Sequence, residues 1–257
     1  MARFEGQTVF VSGATGGFGS ASARRFAAEG ATLALTDFDG PALEEFAARL
    51  GAECVTLAGD IADEATSRGI VERAVEKFGG IDIAVNNAGI AQDFVKLGKM
   101  DMDEARRIID IDVMGVIYAM RHQLPAMEQR FRETGRRGAI VNIASVAGIA
   151  GAPKLAVYAA AKHAVVGLTR SAAVEYATKG IRVNAVCPSF ARTEMALAAF
   201  RGVPDQAAAE AEMTRGVPMR RLAEVDEIVE VIMFAADPKN AFMTGQTLAA
   251  DGGITAV

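Results

Sequence analysis

Apolar and polar positions fall along this chain in blocks. Short runs made almost wholly of apolar and β-branched residues, such as TVFVS at 8–12, TLALT at 32–36 and IRVNAV at 181–186, are separated by longer stretches with helical spacing of the apolar positions. The runs lack the in-and-out alternation of a half-exposed strand. They suit strands covered on both faces, as in a parallel sheet. The junctions also repeat: Gly30 precedes ATLAL, Gly51 precedes AECVTL, Gly79-Gly80 precedes IDIAV, Gly138 precedes AIVNI and Gly180 precedes IRVNAV. A glycine there supplies the left-handed residue that ends a helix before the next strand starts.

The pattern predicts strands near 7–12, 31–36, 53–58, 81–86, 138–144, 181–187 and 246–250, with helices between them. Such alternation implies βαβ units with right-handed crossovers. The expected fold is α/β: a single-domain Rossmann fold with a doubly wound, seven-stranded parallel sheet and helices on both faces. No linker, repeat or low-complexity stretch divides residues 1–257, so one domain is expected. The segment 190–222 breaks the rhythm with Pro204, Pro218 and an alanine-rich patch, and reads as a helical insertion covering a substrate.

Composition narrows the function classes. The net charge is −5 and no basic block appears, which argues against nucleic acid. No apolar run reaches membrane-spanning length, and the opening MARFEGQTVF runs into a strand pattern without a secretory leader. Cys54 and Cys187 lie in apolar strand-like runs and are expected as buried thiols, which fits a cytoplasmic protein. His122 and His163 are the only histidines, and no metal-ligand spacing exists.

The first strand leads into the turn Gly13-Ala14-Thr15-Gly16-Gly17-Phe18-Gly19 and then a helix. A glycine-rich turn admits a pyrophosphate close to the backbone, and the helix N-terminus offers free N–H groups. The second strand ends at Asp37, where a Rossmann acid reaches the ribose hydroxyls. A carboxylate there accepts from the 2′-hydroxyl of NAD and repels the 2′-phosphate of NADP. No Arg or Lys stands in the turn, and Phe38 follows the acid, so NAD is the expected cofactor. Asp60 follows the third strand and Asn86-Asn87-Ala88-Gly89 the fourth, at the ends where open α/β sheets bind ligands. Turn chemistry alone would also explain them.

The fifth strand delivers Ser145, and Tyr158 and Lys162 follow, four apart on one helix face. A Tyr-x-x-x-Lys match alone is a weak signal. Joined to a serine at a strand end and a dinucleotide turn upstream, it is strong. Oxidising a secondary alcohol requires removing its hydroxyl proton as hydride leaves carbon. A free phenol is a poor base at neutral pH, and a nearby ammonium favours the phenolate. Ser145 is placed to hydrogen-bond the substrate oxygen.

These residues make the chain similar to the classical short-chain dehydrogenase/reductase family along essentially its whole length. The glycine motif appears as Ser12-Gly13 through Gly17-Phe18-Gly19, with Ser for Thr; NNAG matches 86–89 in full; the catalytic residues match Ser145, Tyr158 and Lys162. The Pro-Gly segment and its Thr appear as Pro188-Ser189 and Thr193, and Ala191 stands where the family has a larger aliphatic residue. The resemblance implies cofactor contacts at Gly13, Thr15, Gly17, Phe18, Gly19, Asp37, Asn87, Ala88, Gly89 and Pro188. Asp60 and Ile61 would flank adenine, Tyr158 and Lys162 the nicotinamide ribose, and Thr193 the carboxamide. Asp112 stands where the family has an Asn thought to hold a water of the proton relay. An ionised Asp cannot donate a hydrogen bond and would stabilise the ammonium of Lys162. Activity is expected to survive with a shifted pH optimum, so Asp112 joins the catalytic set.

The expected reaction is hydride transfer between NAD and an uncharged alicyclic or aromatic secondary alcohol or ketone. Charged residues are sparse near the expected pocket, though Arg192, Arg201, Arg215, Arg220 and Arg221 of the insertion could meet an anion. Met195, Met213 and Met219 could line an apolar pocket. A 3-oxoacyl-thioester reductase is an alternative that typically needs NADPH, which Asp37 disfavours. An extended epimerase would need a larger C-terminal region. A non-catalytic dinucleotide sensor is a further alternative: intact Tyr158, Lys162 and Ser145 argue against it, while Asp112 leaves an opening for it. The resemblance also implies a homo-oligomer, commonly a tetramer, through the apolar helices near 103–131 and 156–178 and the tail GITAV.

Overall fold

The computed structural model describes residues 2–198 and 202–257. Its centre is a seven-stranded sheet in the order β3-β2-β1-β4-β5-β6-β7. The strands are β1 (Thr8–Ser12), β2 (Thr32–Asp37), β3 (Cys54–Ala58), β4 (Ile83–Asn86), β5 (Gly138–Ile143), β6 (Ile181–Pro188) and β7 (Thr247–Ala250). Every neighbouring pair is parallel. The helices are α1 (Gly17–Ala28), α2 (Gly40–Arg49), α3 (Glu64–Phe78), α4 (Met102–Ile109), α5 (Gly115–Thr134), α6 (Ala156–Tyr176), α7 (Glu194–Ala198), α8 (Gln206–Met213) and α9 (Val225–Ala236).

The all-apolar strand runs have their cause in two cores, one on each side of the sheet. Strand side chains alternate between faces. In β1, Val9 and Val11 join the core beneath α1 and α9, while Phe10 joins the core beneath α3, α5 and α6. In β2, Leu33 and Leu35 take the first side and Ala34 the second. At the edge the cover thins: β3 is only half-buried along its length. Cys54 sits there half-exposed rather than buried as expected, and Cys187 in β6 is fully buried; both thiols are free. The strand order reverses between β1 and β4, which opens a crevice at the carboxyl ends of the strands.

The stretch 103–131, expected as one helix, is two. A π-helical turn at Asp110–Met114 separates α4 from α5. The expected helical insertion is helical only in part: α7 and α8 lie in it, 214–222 is turns and irregular chain, and Arg201 lies outside the described residues. Buried charges in the body of the fold are paired. Arg130 grips Asp82 with Nε and Nη2 at 2.7 and 2.9 Å. Buried Arg182 donates to the carbonyls of Ala235, Ala236 and Asp237 at the end of α9. No helix among the described residues is long and apolar enough to cross a membrane.

Candidate active site

The site is assembled at the crevice from the ends of six strands, β1 to β6. The turn from β1 to α1 has no room for side chains. A Cβ on Gly19 would lie 2.0 Å from the carbonyl oxygen of Gly13, one on Gly17 2.7 Å from Cγ2 of Thr193, and one on Gly13 2.9 Å from Cα of Ala88. No side chain caps α1. The first-turn N–H groups thus face the crevice bare, as a pyrophosphate needs. Ser12, standing for Thr, uses its hydroxyl to accept from the N–H of Asn87 and Ala88, both at 3.1 Å. Asn87 donates back to the carbonyls of Ser12 and Gly13 at 3.1 and 3.0 Å. Asn87 and Ala88 therefore clamp the turn to the end of β4. Asn86 points inward, bonded to Asn142 and Gln123, and is a core residue.

Asp37 is the last residue of β2 and is 7% exposed. Its Oδ2 accepts from the N–H and hydroxyl of Thr15 at 2.9 and 2.7 Å, and its Oδ1 accepts from the N–H of Phe38 at 2.8 Å. Thr15, expected as a cofactor contact, directs its hydroxyl to Asp37. A carboxylate oxygen takes up to two donors, so Oδ1 keeps capacity for a ribose hydroxyl. Asp60 accepts from the N–H of Ala62 at 2.9 Å and from Arg107 at 2.7 Å. Partial burial pushes its carboxyl up, but the Ala62 and Arg107 donors outweigh that and hold it below the usual carboxylate value. Ile61 is buried against Gly115, where an added Cβ would lie 3.0 Å from its Cγ2.

On the other side of the crevice, Ser145 follows β5. Its hydroxyl accepts from the N–H of Ala147 at 3.1 Å and lies 3.5 Å from the carbonyl of Pro188, the last residue of β6. Tyr158 and Lys162 share a face of α6, with Nζ 5.4 Å from the centre of the phenol ring. The ammonium is buried, 3.3 Å from the carbonyl oxygen of Ile143 and 3.1 Å from Oδ2 of Asp112. Burial opposes the Lys162 charge, but Asp112, with help from Tyr158, more than compensates and holds the ammonium's pKa above its ordinary value.

Asp112 has no exposed surface. The π-helical turn presents its carboxylate to Lys162, as such turns often do at functional sites. Oδ1 accepts from the N–H of Ile90 at 2.8 Å, whereas no hydrogen-bond donor is aligned on Oδ2, whose contact with Nζ is an ion pair by distance. Gly89 keeps the space open: a Cβ there would lie 3.2 Å from Nζ. Burial also pushes the Cys187 thiol up to about 11, so it stands neutral near the pair.

The loop after β6 carries Ala191, 3% exposed and packed in the main core, where its backbone pairs with Ala223. Thr193 lies against Gly17, and its hydroxyl accepts from the N–H of Ala196 at 3.3 Å. The insertion's described arginines are committed elsewhere. Arg192 pairs with Glu210 and Glu224, Arg215 with Glu212 and Arg221 with Glu227, while Arg220 donates to the carbonyl of Arg215. Met195 and Met219 are 51% and 66% exposed, and Met213 is half-buried. His163 is exposed and bonded to the carbonyl of Ala159, and His122 contacts Glu64. No cluster of metal-ligating side chains occurs among the described residues.

Two contributors carry no sequence signal. Arg107, on α4, reaches Asp60 across 47 positions of chain. Gln92, 4% exposed, accepts from the N–H of Val157 and of Tyr158 at 3.1 and 3.0 Å.

Comparison with known proteins agrees with this geometry. The profile of the adh_short_C2 family, described as enoyl-(acyl carrier protein) reductase, matches residues 13–255. The chain belongs to the short-chain dehydrogenase/reductase family and is an oxidoreductase. It is 38% identical to the 2,5-dichloro-2,5-cyclohexadiene-1,4-diol dehydrogenase of Sphingobium indicum over 100% of both chains. It is also 38% identical to the cis-4-hydroxycyclohexanecarboxylate dehydrogenase of Sinomonas cyclohexanicum, over 99% of this chain and 98% of the other. The crystal structure of levodione reductase superposes with a TM-score of 0.92 at 34% identity, covering 99% of this chain and 100% of that one.

Proposed function

We propose that this enzyme interconverts uncharged alicyclic secondary alcohols and ketones with NAD, using Tyr158 as the proton acceptor in the oxidising direction. The observation that carries it is the buried Lys162 ammonium beside the Tyr158 ring, at the crevice where the glycine turn and Asp37 meet. The dinucleotide, when bound, supplies the hydride acceptor. Gly13, Gly17, Phe18 and Gly19 would face its pyrophosphate, Asp37 its adenosine ribose, Asp60 and Ile61 its adenine. Tyr158, Lys162, Pro188 and Thr193 would hold the nicotinamide end.

Within the chain, Ser145 donates to the substrate oxygen and Tyr158 takes its proton. Lys162 stabilises the phenolate that accepts that proton and becomes the phenol. Asp112 keeps Lys162 charged and in place. NAD is preferred because a 2′-phosphate would meet the fixed, largely buried carboxylate of Asp37. Like charges so placed cost several kcal/mol, roughly 100-fold or more in affinity. An uncharged ring is favoured because the four described arginines of the insertion already have partners. The named substrates of the two relatives above are six-membered carbocycles, which supports the same class.

A 3-oxoacyl-thioester reductase, which typically needs NADPH, is opposed by Asp37. A dinucleotide sensor is opposed by the complete Ser145, Tyr158 and Lys162. We also propose a cytoplasmic homotetramer. The outer face of α6, with Ala160, Ala164, Gly167, Ser171 and Val174 exposed, supports self-association, which mass photometry would test.

The deciding experiment is a panel of cyclohexanols and cyclohexanediols run with NAD⁺ and NADP⁺ in parallel. NADH formation on alicyclic alcohols, at least about 100-fold weaker with NADP⁺, is expected. NADH binding without turnover of any alcohol would replace the enzyme with a sensor.

A further inference from the structure

The helix that carries Tyr158 and Lys162 begins without a cap of its own. Leu155 precedes it and supplies no side-chain hydrogen bond. The first N–H groups of a helix have no partner within it, and Ser, Thr, Asp or Asn normally supplies one. Here the acceptor comes from the loop after β4. One oxygen, Oε1 of Gln92, takes both the Val157 and the Tyr158 N–H. Its Nε2 donates to the carbonyl of Lys154 at 3.2 Å, which also accepts from the N–H of Val95 at 3.0 Å. Lys154 has a φ of +67°, a left-handed turn held in place by these two bonds. A single buried amide thus ties the β4 loop to the turn before α6 and to the backbone of Tyr158 itself.

We infer that Gln92 is a positioning residue for the reaction: it fixes Tyr158 through its backbone N–H, and does so without bringing a negative charge to the phenol. A carboxylate cap would serve helix stability better, since the helix N-terminus attracts anions. Helical side chains slant toward the N-terminus, so the phenol shares the first turn with its cap. A charge there would oppose the phenolate. The ionisable groups around the Tyr158–Lys162 pair are Lys162 on the same helix, Asp112 from the π-helical turn and the neutral Cys187 thiol of β6. A neutral cap leaves that balance undisturbed.

Resting on Tyr158 as the base, this role is separable from it by a readout that needs no substrate. The chain has three tyrosines and no tryptophan, so near-ultraviolet tyrosinate absorbance is readable in the intact protein. Tyr158→Phe identifies its share. In Gln92→Glu, two N–H donors hold the new carboxylate ionised. Tm should fall by a few degrees, because the carboxylate cannot replace the Nε2 donor to the Lys154 carbonyl, while NADH affinity should match the parent and the Tyr158 share of the absorbance should develop about one pH unit higher, a tenfold change in its equilibrium. The acid limb of alcohol oxidation should move with it. Gln92→Ala should lose about 10- to 100-fold in kcat with KM for the dinucleotide nearly unchanged. Coincident absorbance curves for Gln92→Glu and the parent, or a kcat within about twofold of the parent in Gln92→Ala, would overturn the role. Full activity in Tyr158→Phe would instead overturn the base.

Discussion

Replacing Asp112 with Asn tests the electrostatics of the site, because it removes a charge and keeps the shape. The Oδ2 of Asp112 lies 3.1 Å from Nζ of Lys162, with both groups buried. At an effective dielectric near 20, unit charges at that distance attract by about 5 kcal/mol before relaxation. The carboxylate does two opposed things. It holds Lys162 protonated against burial, and it weakens the pull of the ammonium on the phenolate. Without it, the ammonium is lost at lower pH and the phenolate forms at lower pH. Both limbs of the kcat/KM profile for alcohol oxidation should therefore move toward acid, the upper limb, which reports Lys162, by about one pH unit if a quarter of the attraction survives relaxation. The neutral amide cannot balance a buried ammonium. Breaking such a pair costs about 3–5 kcal/mol, a fall in Tm of roughly 10 °C for a chain of this size. The linkage has a definite sign. Lys162 is raised in the folded state, so its stabilisation is complete below the ordinary value of 10.5 and fades as pH climbs through the higher folded value. The parent should thus lose stability more steeply above pH 10.5 than Asp112→Asn does. Superimposable pH–rate profiles for the two proteins would refute the pairing as a functional element.

Three other perturbations follow from the same geometry. Gly19→Ala would place a Cβ 2.0 Å from the Gly13 carbonyl, so NADH binding by fluorescence titration should fall at least about 100-fold; near-parent affinity would mean the turn is not the pyrophosphate cradle. Asp37→Ala removes the acceptor and the repulsion together, and the ratio of kcat/KM for NAD⁺ over NADP⁺ should drop by about 100-fold, whereas an unchanged ratio would place cofactor choice elsewhere. Arg130→Ala leaves buried Asp82 with only the Thr8 N–H at 2.9 Å and a long contact to Arg136 at 3.8 Å, and should lower Tm by roughly 10 °C with kinetics at permissive temperature intact.

Much of this architecture was legible in the residues. The strands were found because both faces of the sheet are covered, so each run is apolar throughout, and the helix-ending glycines marked where runs begin. The glycine turn was legible for a steric reason: Gly13, Gly17 and Gly19 each face an atom that a Cβ would strike. The π-helical turn was not. IIDIDVMGVIYAM keeps a helical spacing of apolar residues straight through it, and one extra residue in a turn leaves no mark on that spacing. Gln92 was invisible because its partner N–H groups lie 65 and 66 positions away and a lone amide in a loop has no periodicity. The same distance hid Arg107 behind Asp60. The edge position of β3 left Cys54 half-exposed, which an apolar run alone does not announce. Arg192, Arg215 and Arg221 of the insertion looked available in sequence, and their glutamate partners became visible only once the segment was folded.

The proposed reaction depends on a phenol that carries the substrate's proton while a buried ammonium stands beside it. Tyr158→Phe is the most direct measurement. The variant should bind NADH as the parent does and oxidise an alicyclic alcohol at least about 1,000-fold more slowly, since positioned acid–base groups contribute on the order of 100- to 10,000-fold. Oxidation at the parent rate, with the dinucleotide bound normally, would contradict it.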